Sequence, residues 1–322
     1  MIRLSQHFCQ SLLARAAILA LLAGLVLAPS MAASTYQEQP AKQDPAKKDD
    51  LKHKDEGKVP NSKESQKALE KMIRVGEANK LSPAEVIVET AIIAYGNRNA
   101  LKAARASIEE QGTIKLATDQ GDITGDYRMR SIRKDKSWAD LLRNDLELKP
   151  PAGAQRAGAA PQVKYVIAFN GASVWSAQNG QYVNPRPEAE AAFRAQLTHD
   201  YTNLLRYKED GSKIELVGPE NVVGIDTNVI DLTMPDGQKT RYWLSTKTYR
   251  ILHMEYDLKI GDAAPLKFRV SYYPPFRVVQ NTLAPARRVM EQNGKFVQEI
   301  NVNNFIFSAK IDPEVFQHLQ SS

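Results

Sequence analysis

Residues 230–272 contain four consecutive segments in which every second residue is apolar and the residues between are mostly polar or charged. A period of two is typical of strands whose sheet has one apolar and one polar face. The connections, at residues 235–237, 246–248 and 261–262, are short, so the four strands are predicted to be sequential antiparallel neighbours. The predicted apolar face consists of Ile230, Leu232, Met234, Tyr242, Leu244, Leu252, Met254, Tyr256, Leu258, Leu266, Phe268, Val270 and Tyr272. Trp243 and Ile251 are apolar residues that this pattern places on the polar side.

Further strand patterns precede and follow this block, and Asn-Gly pairs at 170–171, 179–180 and 293–294 are typical of the turns between hairpin strands. With the first four, they predict an antiparallel sheet of eleven or twelve strands. The additional strands are predicted over 108–118, 122–133, 144–148, 163–170, 173–177, 213–217, 284–292 and 295–307. The Pro-, Ala- and Gly-rich segment 150–161 is predicted to be a mobile loop.

Three helices are predicted before the sheet. Ser82 with Pro83 and Glu85 forms a capping signature that begins a helix through Tyr95, and Gly96 ends it. A short helix over 99–106 follows, and apolar residues at helical spacing predict another over 63–79.

A further helix is predicted to begin at Pro187 and to interrupt the strands midway. Phe193, Leu197, Tyr201 and Leu204 recur at intervals of four, four and three, which gives one apolar stripe. Its position between strands indicates that it packs across the sheet. Such a stripe forms plain core more often than a movable lid.

The N-terminus has the pattern of a secretory signal. Arg3 and Arg15 accompany an apolar stretch over 16–28, and small residues follow at 30–33, so residues 1–32 are predicted to be a cleaved signal peptide. An uncleaved signal that tethers the chain to the inner membrane is the alternative. Residues 33–61 are rich in Lys, Asp, Glu, Gln and Pro and are predicted to form a disordered charged tail. Residues 62–322 are predicted to form one folded domain.

Removal of the signal changes the chemistry that remains. The net charge falls from +6 to +4 because Arg3 and Arg15 leave and no acid does, and Cys9, the only cysteine, leaves as well. A weakly basic chain of this kind lacks the concentrated basic stripe of nucleic-acid-binding proteins, so no nucleic-acid partner is expected. The mature chain has no disulfide, thiolate metal site or cysteine nucleophile.

No common catalytic motif is present in the sequence. It lacks a Gly-x-Ser-x-Gly elbow, a paired-histidine zinc motif, a phosphate-binding loop and a calcium loop. His199, His253 and His318 are scattered and are predicted to be surface or half-buried residues. Arg287 with Arg288 is predicted to be a solvated pair, with contact to the headgroup of a ligand as the alternative. We therefore expect no catalytic residue, metal or cofactor and no enzyme activity. A hydrolase site built from distant Asp, Glu and Tyr residues is the remaining enzymatic alternative.

Several stretches resemble the LolA-like superfamily of periplasmic lipoprotein and lipid carriers. They are 95–101 with 107–114, 169–175, 215–224 with 242–249, and 272–288 with 303–316, so the resemblance spans about residues 81–316. It is carried by order and spacing, the Tyr242-Trp243 strand with its tight turn being the strongest part. Ser245 stands where many relatives have aspartate, and Asn281 where glycine is common.

The resemblance implies an α+β fold, a single half-open antiparallel β-barrel with helices over its concave apolar face. It also implies a monomeric periplasmic carrier that binds the acyl chains of a lipoprotein or lipid, with an inner-membrane release complex and an outer-membrane acceptor as partners. A soluble or membrane-tethered module that senses lipid or envelope stress through a protein partner is the alternative. The trough is expected to be lined by Leu252, Met254, Tyr256, Leu258, Leu266, Phe268, Val270, Tyr272, Tyr242 and Leu244. The lid is expected to present Phe193, Leu197, Tyr201 and Leu204.

Overall fold

A computed structural model describes residues 81–119, 121–133, 141–149 and 162–317. The predicted signal over 1–32, the tail over 33–61, the helix over 63–79, the loop over 150–161 and His318 lie outside the described residues. These stay predictions, as does the extent of the domain over 62–322.

The described chain contains four α-helices, thirteen strands and one 3₁₀-helix. The helices are α1 (Pro83–Ala94), α2 (Arg98–Ala104), α3 (Pro187–Thr198) and α4 (Tyr201–Leu205), and the 3₁₀-helix is Pro313–Phe316. The first six strands are β1 (Ser107–Thr118), β2 (Gly121–Ile132), β3 (Leu141–Lys149), β4 (Val163–Phe169), β5 (Val174–Gln178) and β6 (Gln181–Val183). The others are β7 (Lys213–Val222), β8 (Ile225–Thr233), β9 (Lys239–Ser245), β10 (Ile251–Leu258), β11 (Leu266–Val279), β12 (Thr282–Gln292) and β13 (Lys295–Phe307).

All thirteen strands belong to one antiparallel sheet. Its order is β6-β5-β4-β3-β2-β1-β13-β12-β11-β10-β9-β8-β7, so two meanders, β1–β6 and β7–β13, are joined where β1 pairs with β13. Strands β6 and β7 are the two edges, and the described sheet is therefore open rather than closed. The predicted α+β class and antiparallel sheet are confirmed. The sheet has one or two strands more than predicted, because the three-residue strand β6 carries no pattern long enough to detect.

The sheet curls because its strands are irregular at several positions. Register shifts occur at Gln111/Gly112 in β1, at Leu216/Gly218 in β7, at Ile251/His253 in β10 and at Tyr273/Phe276 in β11. Bulges of this kind bend a strand and increase its twist. They give the sheet a concave face, which the helices cover.

The apolar core lies on the concave side in two clusters. The α1 cluster joins α1 and α4 to strands β8–β11 and includes Val88, Ile92, Tyr201, Leu204, Ile230, Leu232, Tyr242, Leu244, Ile251, Met254, Tyr256, Phe268, Val270 and Tyr272. The α3 cluster joins α3 to strands β1–β5, β12 and β13 and includes Ile108, Ile114, Leu116, Tyr127, Leu142, Leu146, Leu148, Ile167, Phe193, Leu197, Ile300, Val302, Phe305 and Phe307.

The bulge in β10 overturns one expectation from the alternation. Ile251 pairs with Leu244 and is fully buried in the α1 cluster, whereas the sequence pattern places it on the polar side. Leu252, predicted to face the core, is half-buried and belongs to neither cluster. The extra residue between Ile251 and His253 shifts the phase, so Met254 and Tyr256 return to the predicted face.

The helix predicted from Pro187 through Leu204 is wrong as a single element. His199 and Asp200 have extended backbone, and the Asp200 carboxylate accepts a hydrogen bond from the Thr202 N–H at 2.8 Å, which begins α4 as a new helix. The break divides the apolar stripe. Its first half packs in the α3 cluster and its second half in the α1 cluster.

Candidate functional site

A cavity of about 140 Å³ lies on the concave face where the two apolar clusters meet. Its roof is the break between α3 and α4, and its floor is the centre of the sheet, from β1 to β3 and from β10 to β13. The roof is discontinuous because the helix has been interrupted by Asp200. The cavity therefore lies beneath the point where the helical cover is interrupted.

The apolar residues that line the cavity come from both clusters, and together they are called its apolar wall. They are Ile108, Met129, Leu142, Leu197, Met254, Val270, Met290 and Ile300. Such a wall offers contact area to a hydrocarbon group and no hydrogen-bonding partner, so it favours an apolar guest.

A buried ion pair belongs to the polar residues that line the cavity, which together are called its polar wall. Arg288 Nη2 lies 2.5 Å from Glu110 Oε2, and the two side chains are 16% and 6% exposed. Burial of Arg288 lowers its pKa, but the neighbouring Glu110 carboxylate has the opposite effect, and the net result is a raised pKa. Burial raises the pKa of Tyr127, which also lies beside this pair. The raised pKa keeps the Arg288 guanidinium charged at neutral pH, with Glu110 as its ion-pair partner.

Arg105 enters the same wall from the chain between α2 and β1. Its side chain donates from Nη1 to the Tyr201 hydroxyl at 2.6 Å and from Nη2 to the Leu283 carbonyl at 3.0 Å. The residue is 5% exposed, and its Nε–H has no acceptor. Burial raises the pKa of Tyr201 to about 12, so its hydroxyl stays neutral. Arg105 is thus a buried cation held by neutral groups.

Arg133 approaches from the end of β2 and donates from Nη2 to the Thr202 hydroxyl at 2.9 Å. Its Nη1 is buried without a partner, as is the amide oxygen of Asn144, which lines the same cavity. Buried groups of this kind are normally satisfied by protein or water, so the polar side of the cavity can still accept hydrogen-bonding partners.

His199 closes the cavity at the helix break. Its ring stacks on Tyr256 with centroids 4.0 Å apart, and its Nδ1 lies 2.7 Å from the Thr240 hydroxyl. Burial lowers the pKa of His199 to about 4, although the Asp236 charge opposes the shift. The residue is 6% exposed, so its predicted surface or half-buried position is wrong, and so is that of His253, which is also 6% exposed.

The structure brings some of the predicted trough and lid residues to the cavity and packs the rest around it. The residues that line the cavity are Met254, Val270, Tyr272, Leu197 and Tyr201. The residues buried within the clusters are Tyr242, Leu244, Tyr256, Phe268, Phe193 and Leu204, and Leu258 and Leu266 are half-buried at the margin of the α1 cluster. As ligand contacts, all of these residues stay a prediction.

The sequence analysis missed the polar half of the site. The residues concerned are Arg105, Glu110, Arg133, Asp200 and Arg288. The prediction that Arg287 and Arg288 are both solvated is wrong for Arg288. A signal existed, because Arg288 is in phase with Ala284, Ala286 and Met290 on alternating positions of one strand, and this face is the concave one.

The size of the cavity limits what it holds in the described conformation. Sites for drug-sized ligands usually measure about 300–1,000 Å³. A volume of about 140 Å³ is enough for a few waters, each of about 30 Å³, or for a small polar group with a short hydrocarbon stub. A long ligand therefore requires displacement of the helical roof.

Two negative findings apply to the described residues. Within residues 81–317, apart from the undescribed gaps, none of the helices is both long enough and apolar enough to cross a bilayer. The same part of the chain has no group of three or more His, Cys, Asp or Glu residues placed to hold a metal ion.

No protein-family model and no curated protein matches this chain. Solved structures do match it. A putative outer membrane lipoprotein-sorting protein domain from Vibrio parahaemolyticus is 13% identical, with 71% of this chain and 94% of that chain covered and a TM-score of 0.45. A DUF1329 family protein from Desulfovibrio piger is 12% identical, with coverage of 74% and 98% and a TM-score of 0.47.

A LolA superfamily protein from Nitrosomonas europaea is 16% identical, with 68% of this chain and 96% of that chain covered and a TM-score of 0.42. The resemblance to the LolA superfamily that the sequence indicates is therefore found again among the solved structures. At these identities and TM-scores the likeness carries no weight for function, which rests on the residues of the site.

Proposed function

We propose that this protein is a periplasmic carrier that binds the acyl chain of a lipid or lipoprotein between α3 and the concave face of the sheet, without a chemical step. The observation that carries the proposal is the cavity beneath the α3–α4 break. It is a preformed hollow in the concave face, and it is bounded by a roof of two separate helices.

The apolar wall supplies the affinity in this proposal. Each buried methylene contributes about 0.8 kcal/mol, so a sixteen-carbon chain gains roughly 12 kcal/mol before the costs of association and of moving the roof. This gain exceeds what a few apolar side chains of α3 contribute by packing. The exchange of Phe193 and Leu197 for a ligand tail is therefore energetically feasible.

Room for the tail is created by displacement of α3. Phe193 is fully buried against the strands of the α3 cluster, and Leu197 lines the cavity itself. When α3 moves outward about the extended residues His199 and Asp200, the cavity is continuous with the groove that Phe193 leaves. Extended residues between helices are suited to absorb such a hinge motion.

The proposed compartment and partners rest on the sequence. The predicted signal peptide directs the chain to the periplasm, and a carrier there needs a donor at the inner membrane and an acceptor at the outer membrane. Arrival and departure of the ligand require only binding energy and helix movement, so the proposal includes no catalytic residue.

A fluorescent fatty-acid probe tests the binding site. Val270→Phe introduces a larger side chain into the cavity and is expected to weaken probe binding about tenfold or more, which corresponds to about 1.4 kcal/mol. The matched control is Val278→Phe, the same substitution on the same strand at a valine that is 57% exposed. The control variant should bind the probe as the wild-type protein does.

Equal probe affinity of both variants and the wild-type protein would place the site elsewhere, and failure of the wild-type protein to bind any acyl probe would reject the carrier function. Transport is tested separately by lipoprotein release from inner-membrane vesicles, with and without the mature protein. A binding-competent protein that does not increase release would favour the sensor alternative.

A further inference from the structure

The polar wall of the cavity holds more positive than negative charge. Arg105, Arg133 and Arg288 line it together with Glu110 and Asp200. Glu110 is paired with Arg288, and the Asp200 side chain accepts the Thr202 N–H. Among the described residues that line the cavity, the three arginines outnumber the two acidic residues by one. Because Arg288 is paired with Glu110, the unpaired positive charge is carried by Arg105 and Arg133.

Arg105 and Arg133 are both held by neutral groups of α4. Arg105 donates to the Tyr201 hydroxyl and Arg133 to the hydroxyl of the next residue, Thr202. Neither arginine forms an ion pair with a carboxylate in the part of the chain that the structure describes. Such pairing is the usual arrangement for a buried guanidinium, because an isolated buried charge is costly.

Each of the two guanidinium groups also retains a buried N–H without an acceptor, Nε of Arg105 and Nη1 of Arg133. An unsatisfied buried donor costs about 1–3 kcal/mol, and more when it is charged. The two cations bond to consecutive residues of α4 and line the same cavity, and two free donors of this kind match an anion that has two or three oxygen acceptors. A carboxylate or a phosphate has this form, and an alcohol or an ester carbonyl does not.

The apolar wall lines the same cavity as this pair of arginines. Leu197, Met254, Val270 and Ile300 are apolar side chains that a hydrocarbon chain continuing from the head of a ligand would contact. The volume of about 140 Å³ accommodates an acidic head with a short length of chain. The two walls together therefore suit an amphiphile with a charged head inside the protein.

We infer that the ligand is an acidic amphiphile whose carboxylate or phosphate binds Arg105 and Arg133 in the cavity, while its acyl chain takes the place of α3. This inference rests on the proposed carrier function and defines the ligand class. It orients the ligand with its head inward, under α4, and its tail toward the groove beneath α3.

The test compares three probes with the same sixteen-carbon chain: palmitic acid, hexadecyl phosphate and hexadecanol. Their affinities for the mature protein are measured by displacement of a fluorescent fatty-acid probe. We expect at least one of the two acidic probes to bind about tenfold or more tightly than hexadecanol. The tighter of the two acidic probes shows whether the site is built for a carboxylate or for a phosphate.

Arg133→Gln removes one of the two cations while leaving Arg105 and its contacts in place. It should weaken the preferred acidic probe about tenfold and leave hexadecanol within about twofold. Arg128→Gln is the matched control, because Arg128 also lies on β2 but is 47% exposed and paired with Glu109. It should leave all three affinities unchanged.

Arg105→Lys is the second test. This substitution keeps the positive charge but removes the planar set of donors of the guanidinium, so it should weaken binding of the acidic probes alone.

Equal affinity of the wild-type protein for hexadecanol and both acidic probes would overturn the inference and leave the carrier function in place. An equal loss for all three probes in Arg133→Gln would also overturn it, because it would indicate a structural role for the arginine. If none of the three probes binds the wild-type protein, the carrier function fails together with the inference.

Discussion

Helices α1 and α3 cover the same concave face but are attached to it differently. Helix α1 begins with a complete capping box between Ser82 and Glu85, and Glu89 within it binds Arg98, Lys208 and the Tyr207 hydroxyl. Helix α3 begins at Arg186 without a side-chain cap, and the ion pair formed by its Arg194 is with Glu190 of the same helix. Charged hydrogen bonds therefore fix α1 to other elements. Helix α3 contacts other elements through the apolar side chains that it buries, the Arg194 guanidinium over the Phe169 ring and the Thr198 carbonyl that accepts from Asn203.

The difference indicates which part of the cover can move. Apolar contacts are non-directional and are replaced readily by another apolar group, such as a ligand tail. A network of charged hydrogen bonds has to be broken before its helix can leave. Segments that open in proteins are drawn from the regions of lowest local stability. We therefore expect α3 to be the mobile lid and α1 to be part of the fixed frame.

The largest effect is expected from Phe193→Ala, which removes the main anchor of α3. Truncation of a buried phenylalanine costs about 3–5 kcal/mol. If α3 opens as a unit, native-state hydrogen exchange should show this loss in the opening free energy of the α3 amides. The α1 amides should keep the value that they have in the wild-type protein.

Ile92→Ala is the matched variant on the fixed side, because Ile92 is buried in the α1 cluster to a similar extent. This substitution costs about 2–5 kcal/mol. It should lower the opening free energies of the α1 amides and of the sheet amides together. If the amides of α1 and α3 respond in the same way to both substitutions, the two helices form one cooperative unit and α3 is not a lid.

The second effect is a loss of stability in acid that depends on His199 at the end of α3. Because burial lowers the pKa of His199 to about 4, the unfolded chain binds a proton more readily between about pH 6.5 and pH 4. Stability therefore falls as the pH falls through this window, by about 2 kcal/mol at pH 5 for this residue. The free energy of unfolding is measured with denaturant at pH 7 and at pH 5. In His199→Gln the loss of this free energy between the two pH values should be smaller than in the wild-type protein by about 2 kcal/mol.

His253 provides the control for position, because its pKa is also lowered to about 4 by burial and it lies on the convex face beside Trp243. His253→Gln should reduce the acid sensitivity of global unfolding as much, but only His199→Gln should protect the α3 amides at pH 5. Asp210 acts with the opposite sign, since burial raises its pKa to about 6 and favours the folded state as the pH falls. Its contribution is common to all three proteins and cancels in the differences.

The sequence predicted the frame of the molecule better than the site, for reasons visible at single residues. The alternation over β8–β11 identified the core face because each of these strands is buried on its concave side. It failed at Ile251, where an inserted residue changes the phase and no pattern marks the insertion. The N-terminus of α1 was predicted because a capping box is a local signal between Ser82 and Glu85.

The site combines residues that are distant along the chain, and local patterns do not show such encounters. Arg105 contacts Tyr201 and Leu283, which are 96 and 178 positions away. The apolar stripe from Phe193 to Leu204 was recognised in the sequence. The helix break at Asp200 was not recognised, because an aspartate within a helical pattern does not by itself indicate that one helix ends and another begins. The division of the stripe between two clusters is what creates the cavity.

The smallest effect tests the comparison of the two helices most directly, by exchanging their N-terminal caps. Ser82→Ala removes the cap of α1 and should cost about 1 kcal/mol, whereas Arg186→Ser supplies a capping hydroxyl to α3 and should stabilise it by up to about 1 kcal/mol. Ser82→Ala should lower the melting temperature by about 2–4 °C, and Arg186→Ser should raise it by a similar amount.

The rate at which a fluorescent acyl probe is released distinguishes the two helices. If α3 is the lid, it must open before the probe can leave, so Arg186→Ser should slow release and Ser82→Ala should leave the rate unchanged. An equal effect of both variants on probe release would show that the two helices move together.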